Sequence, residues 1–127
     1  MTEKFDVGML GEDIACNYLR SCGYKVLERN VRFPFGEIDI IAQHKNKTLV
    51  FVEVKTMNCL SFVNSLKPED QMTAAKQKKF RRVALAYVAS HSQLVRDDKG
   101  FQLDVLAIDL FPDGRHEVRH YENAVGE

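Results

Sequence analysis

The stretch Gly36 to Thr56, GEIDIIAQHKNKTLVFVEVKT, constrains the fold more than any other part of this 127-residue chain. Two apolar runs flank a short polar turn, the pattern of a β-hairpin. Each run carries an acid where a core strand would carry an aliphatic residue. Asp39 sits between Ile38 and Ile40, Glu53 sits between Val52 and Val54, and Lys55 follows. Charged side chains are rarely buried without a partner. These acids therefore cost stability, and a functional site is the explanation to test.

Side chains alternate along a strand. Glu37, Asp39 and Ile41 share one face of the first run, and Leu49, Phe51, Glu53 and Lys55 share one face of the second. The turn decides whether those two faces coincide. An even loop puts Asp39 on the side opposite Glu53. A three-residue loop, Lys45 to Lys47, pairs His44 with Thr48, sets Asp39 across from Glu53 and sets Glu37 across from Lys55. The expected register is this odd one, or a bulge with the same effect. Carboxylates so placed repel unless a cation lies between them. Mg²⁺ suits them, since it takes oxygen ligands and keeps several waters; Mn²⁺ is the substitute. The Val54 carbonyl is placed to add a third oxygen. The Lys55 ammonium can orient an attacking water and stabilise charge developing at phosphorus. A plain ion pair at a strand end would account for Glu53 and Lys55 alone, but not for Asp39 in the adjacent apolar run.

The rest of the chain supplies the frame. Val7 to Cys22 has apolar residues at helical spacing, with Asp6 as N-cap and Gly23 as C-cap. Gly8 and Gly11 weaken its first turns, and close approach to another backbone or a ligand is their use. Glu12 falls at the edge of the apolar stripe. Tyr24 to Arg32 reads as a strand, broken by Phe33-Pro34-Phe35-Gly36. Glu37 to Gln43 and Thr48 to Lys55 are the next two strands, with Asn46 as the left-handed turn residue. Met57 to Gln71 reads as a long loop. Thr73 to about His91 is a second helix, His91 to Gly100 a polar connection, Phe101 to Leu110 a fourth strand and Glu117 to Tyr121 a fifth. The order α-β-β-β-α-β-β implies one α/β domain over residues 1–127, a mixed sheet with a helix on each face. Leu49 to Val54, apolar on both faces, should be central.

Composition narrows the partners. Eighteen basic and eighteen acidic residues cancel, which argues against a protein coated in nucleic acid. A local basic face survives: Lys76, Lys78, Lys79, Arg81 and Arg82 crowd the second helix, and Lys45 and Lys47 tip the hairpin. Phe62, in the loop, could stack on a base. Cys16, Cys22 and Cys59 form no CxxC and no even set, so they read as thiols in a reducing compartment. His44, His91, His116 and His120 have no ligand spacing and read as surface residues. With no signal peptide and no run of membrane-spanning length, the expectation is a cytoplasmic protein with no membrane partner.

Asp39 followed by Glu53-Val54-Lys55 at the end of an apolar strand resembles the PD-(D/E)XK nuclease signature. Gly11-Glu12, Gly36-Glu37-Ile38-Asp39-Ile40 and Phe51-Val52-Glu53-Val54-Lys55-Thr56 together resemble the YraN-type family of that superfamily, which is similar to Holliday-junction resolvases. The resemblance runs from Gly8 to Ala124 and includes Arg29-Asn30, Lys76-Gln77 and Asp104-Val105. It implies a restriction endonuclease-like fold and an endonuclease acting on structured or branched DNA, with a homodimer by analogy. It implies that Asp39 and Glu53 bind the metal, that Lys55 is catalytic and that Glu12 adds an acid. Lys76 and Gln77 match a polar pair opening the second helix; with Lys79 and Arg82 they are the candidate nucleic-acid contacts. Two positions depart from the family pattern. Met57 and Gln102 stand where the family reads Arg, and each change removes a group able to grip phosphate. Two rival readings keep the fold without the chemistry: a non-catalytic nucleic-acid-binding module, and a protein-interaction domain whose acids are structural.

Overall fold

A computed structural model describes residues 7–58, 73–96 and 98–124. Helix α1 spans Val7–Ser21, and strands β1, β2 and β3 span Lys25–Phe33, Gly36–Gln43 and Leu49–Asn58. Helix α2 spans Ala74–Ser90, followed by a 3₁₀ turn at Ser92–Leu94 and by β4, Phe101–Leu110, and β5, His116–Tyr121. The element order is the one read from the sequence. Asp6, Cys59 and Phe62 lie outside the described residues, as does most of the stretch read as a long loop.

The strands form one mixed sheet in the order β1-β2-β3-β4-β5. The β3–β4 pair is parallel and the other pairs are antiparallel. A parallel pair needs a crossover, and the chain that leaves β3 and includes α2 provides it. Strand β3 is central, as expected, and longer than expected. Its pairing with β4 runs on through Met57 and Asn58.

Each helix covers one face. Ala15, Cys16 and Leu19 of α1 pack with Ile40, Ala42, Val50 and Val52. Phe80, Val83, Ala84 and Tyr87 of α2 pack with Ile41, Leu49 and Phe51. The even and odd residues of β3 thus serve opposite layers, the alternation its sequence shows. Thr73 caps α2, its side chain accepting from the Lys76 N–H. Gly23 closes α1 at φ 89.

The hairpin turn has three residues. The His44 N–H donates to the Thr48 carbonyl (2.9 Å), and the Lys47 N–H donates back to the His44 carbonyl (2.8 Å). The left-handed residue is Lys47, at φ 79, and not Asn46. Asn46 instead accepts from the Thr48 N–H through Oδ1 (2.9 Å). Its side chain therefore works as a turn acceptor, the other talent of asparagine.

His120 corrects the reading of four surface histidines. Its side chain is 9% exposed, and its Nε2 donates to Asp104 Oδ2 at 2.8 Å. A carboxylate acceptor there puts the proton on Nε2, so a neutral ring accepts from Tyr18 Oη at Nδ1 (3.1 Å). Asp104 is fully buried. It also accepts from Gln102 Nε2 and from the Asn123 N–H. The knot ties α1, β4 and the end of β5 together. It also gives Gln102 a task, since its amide is committed to Asp104 and not to a phosphate.

Removing the Asp104 carboxylate leaves three donors, on Gln102, His120 and the Asn123 N–H, without their acceptor. Asp104→Ala is expected to cost about 3–5 kcal/mol in urea unfolding. A loss below about 1 kcal/mol would show that water replaces the carboxylate.

Candidate functional site

The β2–β3 ladder keeps the register of the odd turn: Gln43 pairs with Leu49, Ala42 with Val50, Ile41 with Phe51 and Ile40 with Val52. There the pairing stops. The next positions in that register are Asp39 and Glu53. On the other side, Arg29 pairs with Ile40 and Val31 with Ile38, so Asn30 faces Asp39. Asn30 has φ 53, a left-handed conformation that asparagine tolerates. Both neighbours of β2 are thus irregular at Asp39. Ile38 marks the same kink, since it packs in the α2 layer although its parity matches Ile40 in the α1 layer.

The Asp39 carboxylate fills the gap. Its Oδ2 accepts from the Val54 N–H at 2.8 Å. A residue in an antiparallel pair turns its N–H and C=O to the same side. The Val54 carbonyl therefore points toward β2 as well, beside the acids. Glu53 Oε1 lies 3.2 Å from Lys55 Nζ, with the two side chains 23% and 19% exposed. This is no solvated surface pair. Asp39, Glu53, Lys55 and Glu37 line a cavity of about 250 Å³, and Lys76 and Lys79 of α2 line it from the other side.

Burial pushes the Asp39 carboxyl up to about 7, with Glu53 as the next cause. The Val54 N–H opposes the rise, and Glu12 and Glu37 add to it. Glu12 reaches this field from the α1 face. Gly11 makes that approach possible: a Cβ there would sit 1.8 Å from Thr56 Oγ1. The close-contact use expected of this glycine is therefore met by β3. Arg29 holds the helix to β1, with Nη2 at 2.9 Å from Asp13 and 3.6 Å from Glu12 Oε1. The second distance is too long for a hydrogen bond. Glu12 Oε1 is buried with no hydrogen-bond partner in the structure.

These residues can be tested against a divalent cation. The donors are oxygens, which suit Mg²⁺ or Mn²⁺. A cation would relieve both the raised Asp39 and the unmatched Glu12 oxygen. The pair Asp39 and Glu53 fits such an ion. Among the described residues, no group of three or more His, Cys, Asp or Glu side chains is close enough to hold one. Glu12 acts on Asp39 through its charge and is not grouped with the pair as a third ligand. Of the candidate nucleic-acid contacts, Lys76 and Lys79 line the cavity, Arg82 lines the neighbouring one, and Gln77 lines neither. Glu37 also lines the cavity, in keeping with the register that sets it across from Lys55.

The model of the family described as "Uncharacterised protein family UPF0102" matches residues 11–108. The chain belongs to the UPF0102 family. This is the YraN-type family that its motifs resemble. The UPF0102 protein of Syntrophotalea carbinolica is 42% identical over 122 residues, which cover 96% of this chain and 93% of that one. The UPF0102 protein of Alkaliphilus oremlandii is 38% identical over 118 residues, 93% of this chain and 96% of that one. The match to the UPF0102 model takes in Glu12, Asp39, Glu53 and Lys55. Among solved structures, a repair endonuclease from Pyrococcus abyssi aligns with TM-score 0.48 at 10% identity, covering 89% of this chain and 42% of that one. At that level of likeness, that enzyme's activity says nothing about the present chain. No helix among the described residues is long and apolar enough to cross a membrane.

The Asp39 shift has a sign that can be checked without any substrate. Folding raises this acid from 3.8 to about 7. Between those values the folded chain holds a proton that the unfolded chain has lost. The Asp39 contribution to stability is full below pH 3.8 and is lost as pH rises through about 7. In EDTA, Asp39→Asn should therefore melt above wild type at pH 8, by a smaller margin at pH 5, and close to it at pH 4. Wild type melting above the variant at pH 8 would contradict the assignment.

Proposed function

We propose that this chain is a cation-dependent phosphodiesterase that cleaves structured or branched DNA. One observation carries the reading: an acid from each of two adjacent strands meets at the break in their ladder, beside Lys55 and under a lysine rim. Acids within and lysines around suit a phosphodiester, whose charge the rim attracts and whose reacting centre an ion can serve.

Asp39 and Glu53 would hold Mg²⁺ or Mn²⁺, with the Val54 carbonyl and Glu12 as the further oxygens available to it. The cation, when bound, supplies a Lewis acid for the phosphoryl oxygen. Lys55, fixed against Glu53, orients the attacking water and faces the charge that develops on phosphorus. Lys76 and Lys79 hold the flanking phosphates as point charges. A branched substrate with two-fold character suits a homodimer. A non-catalytic binding module is the second reading. The Glu53–Lys55 pair favours it, because each group already has a partner.

The test uses wild type, Lys55→Ala and Asp39→Asn with branched, single-stranded and duplex DNA. Cleavage is expected from wild type with Mg²⁺ or Mn²⁺ and to vanish in EDTA. Lys55→Ala should be slower by about 10²–10⁴-fold. Equal rates for wild type and Lys55→Ala would remove Lys55 from the chemistry. Binding by wild type with no cleavage of any substrate would establish the second reading.

A further inference from the structure

A second cavity adjoins the first and shares Gly36, Glu37 and Lys79 with it. It is larger, about 720 Å³, and lies between the β1–β2 turn and the first half of α2. Gly36 fits the turn to the helix, since a Cβ there would lie 2.9 Å from Val83 Cγ2. The turn and the helix therefore approach closely at the floor of the cleft.

Its chemistry differs from that of the surface as a whole. Arg32, Lys78, Lys79 and Arg82 line it, against the single acid Glu37. Glu37 is already paired with Arg32 at 3.3 Å. The chain has no net charge, so this excess of cations is local. The same cleft holds two flat rings. Phe33 and Phe35 stack at 5.6 Å between centroids and 28° between planes. The Arg82 guanidinium lies 4.2 Å above the Phe35 ring, while Arg82 itself is exposed. A guanidinium and a nucleobase are interchangeable partners for an aromatic face. Arg82 can therefore cede the Phe35 face to a base and turn onto a phosphate.

Rings among cations make a platform for a nucleic-acid strand. Pairing state then matters. In a duplex, each base face is covered by its neighbours in the stack, so only an unpaired base can lie on Phe35. We propose that this cleft binds an unpaired stretch of DNA, with phosphates on Lys78, Lys79 and Arg82 and a base on the Phe33–Phe35 pair. The shared wall at Gly36, Glu37 and Lys79 leads that strand to Asp39 and Glu53. The placement rests on the nuclease reading above; the binding does not. The substrate so defined is the junction between paired and unpaired DNA, with the unpaired arm in the cleft.

The experiment measures binding apart from cleavage. Fluorescence anisotropy is read in EDTA, with labelled single-stranded, blunt duplex and single-strand-tailed duplex DNA, in the Asp39→Asn background. Single-stranded and tailed DNA are expected to bind more tightly than blunt duplex. Phe35→Leu, which keeps bulk and removes the flat ring, should weaken single-strand binding about 5- to 100-fold and leave duplex binding unchanged. Lys78→Gln should weaken all three and lower the salt slope by about one. Arg82→Gln, on an exposed side chain, removes a phosphate contact without touching the core and should weaken all three, as Lys78→Gln does. Tighter duplex binding, or single-strand affinity indifferent to both Phe35→Leu and Arg82→Gln, would overturn the proposal. Selective single-strand binding beside a wild type that cleaves nothing in Mg²⁺ or Mn²⁺ would uphold the cleft and sink the nuclease reading.

Discussion

The hydrogen bond from the Val54 N–H to Asp39 Oδ2 is the interaction on which the rest of the site depends. It stands where a strand-to-strand backbone bond would otherwise be. Up to Ile40 and Val52 the ladder is regular and both its faces are buried under helices. One residue further, a side chain takes over from the backbone, and the strands are free to separate. That exchange satisfies the Val54 donor, which a simple break would leave bare. It also fixes a carboxylate next to Glu53 in a partly buried place, where burial and repulsion raise it. The apolar layers bear this cost. Phe51, Ile41 and Leu49 on one side and Ile40, Val50 and Val52 on the other are fully buried.

Much of this was legible because local rules compose. The odd turn follows from the requirement that two acids share a face, and Thr73 and Gly23 are standard caps. The strand Phe101–Leu110 is mostly apolar, follows Gly100 and has turn residues after it, so its bounds are read directly. What stayed hidden depends on partners far apart in sequence. Tyr18 and His120 meet across 102 positions, and no spacing rule connects them. Asp104 looks like any polar residue in a strand until His120, Gln102 and Asn123 surround it. The helix periodicity set Glu12 at an edge but could not say which edge of the sheet it would meet; the Gly11–Thr56 approach decides that. Phe33-Pro34-Phe35-Gly36 reads in sequence as a strand breaker, and only the fold shows its two phenylalanines stacked in the cleft next to the acids.

The charge of the molecule shows a similar division. A zero total conceals an acidic floor at Asp39 and Glu53 and a basic wall along α2. The wall comes from the exposed face of α2, whose buried face completes the core over β3. The same helix therefore closes the fold and presents the lysines. Membership of UPF0102, shown over residues 11–108, places all four acid and lysine positions within the matched region. The Arg absent at position 102 has a structural account here, since Gln102 serves Asp104.

A cation held by Asp39 and Glu53 can be detected by ion binding, without any substrate. Isothermal titration of Mn²⁺ into wild type, Asp39→Asn and Glu53→Gln at pH 7.5 is the most direct measurement. Saturable binding is expected from wild type, with a loss of about tenfold or more in affinity in each variant, since each loses one of two charged oxygen ligands. No saturable binding by wild type, or equal binding by all three proteins, would contradict it.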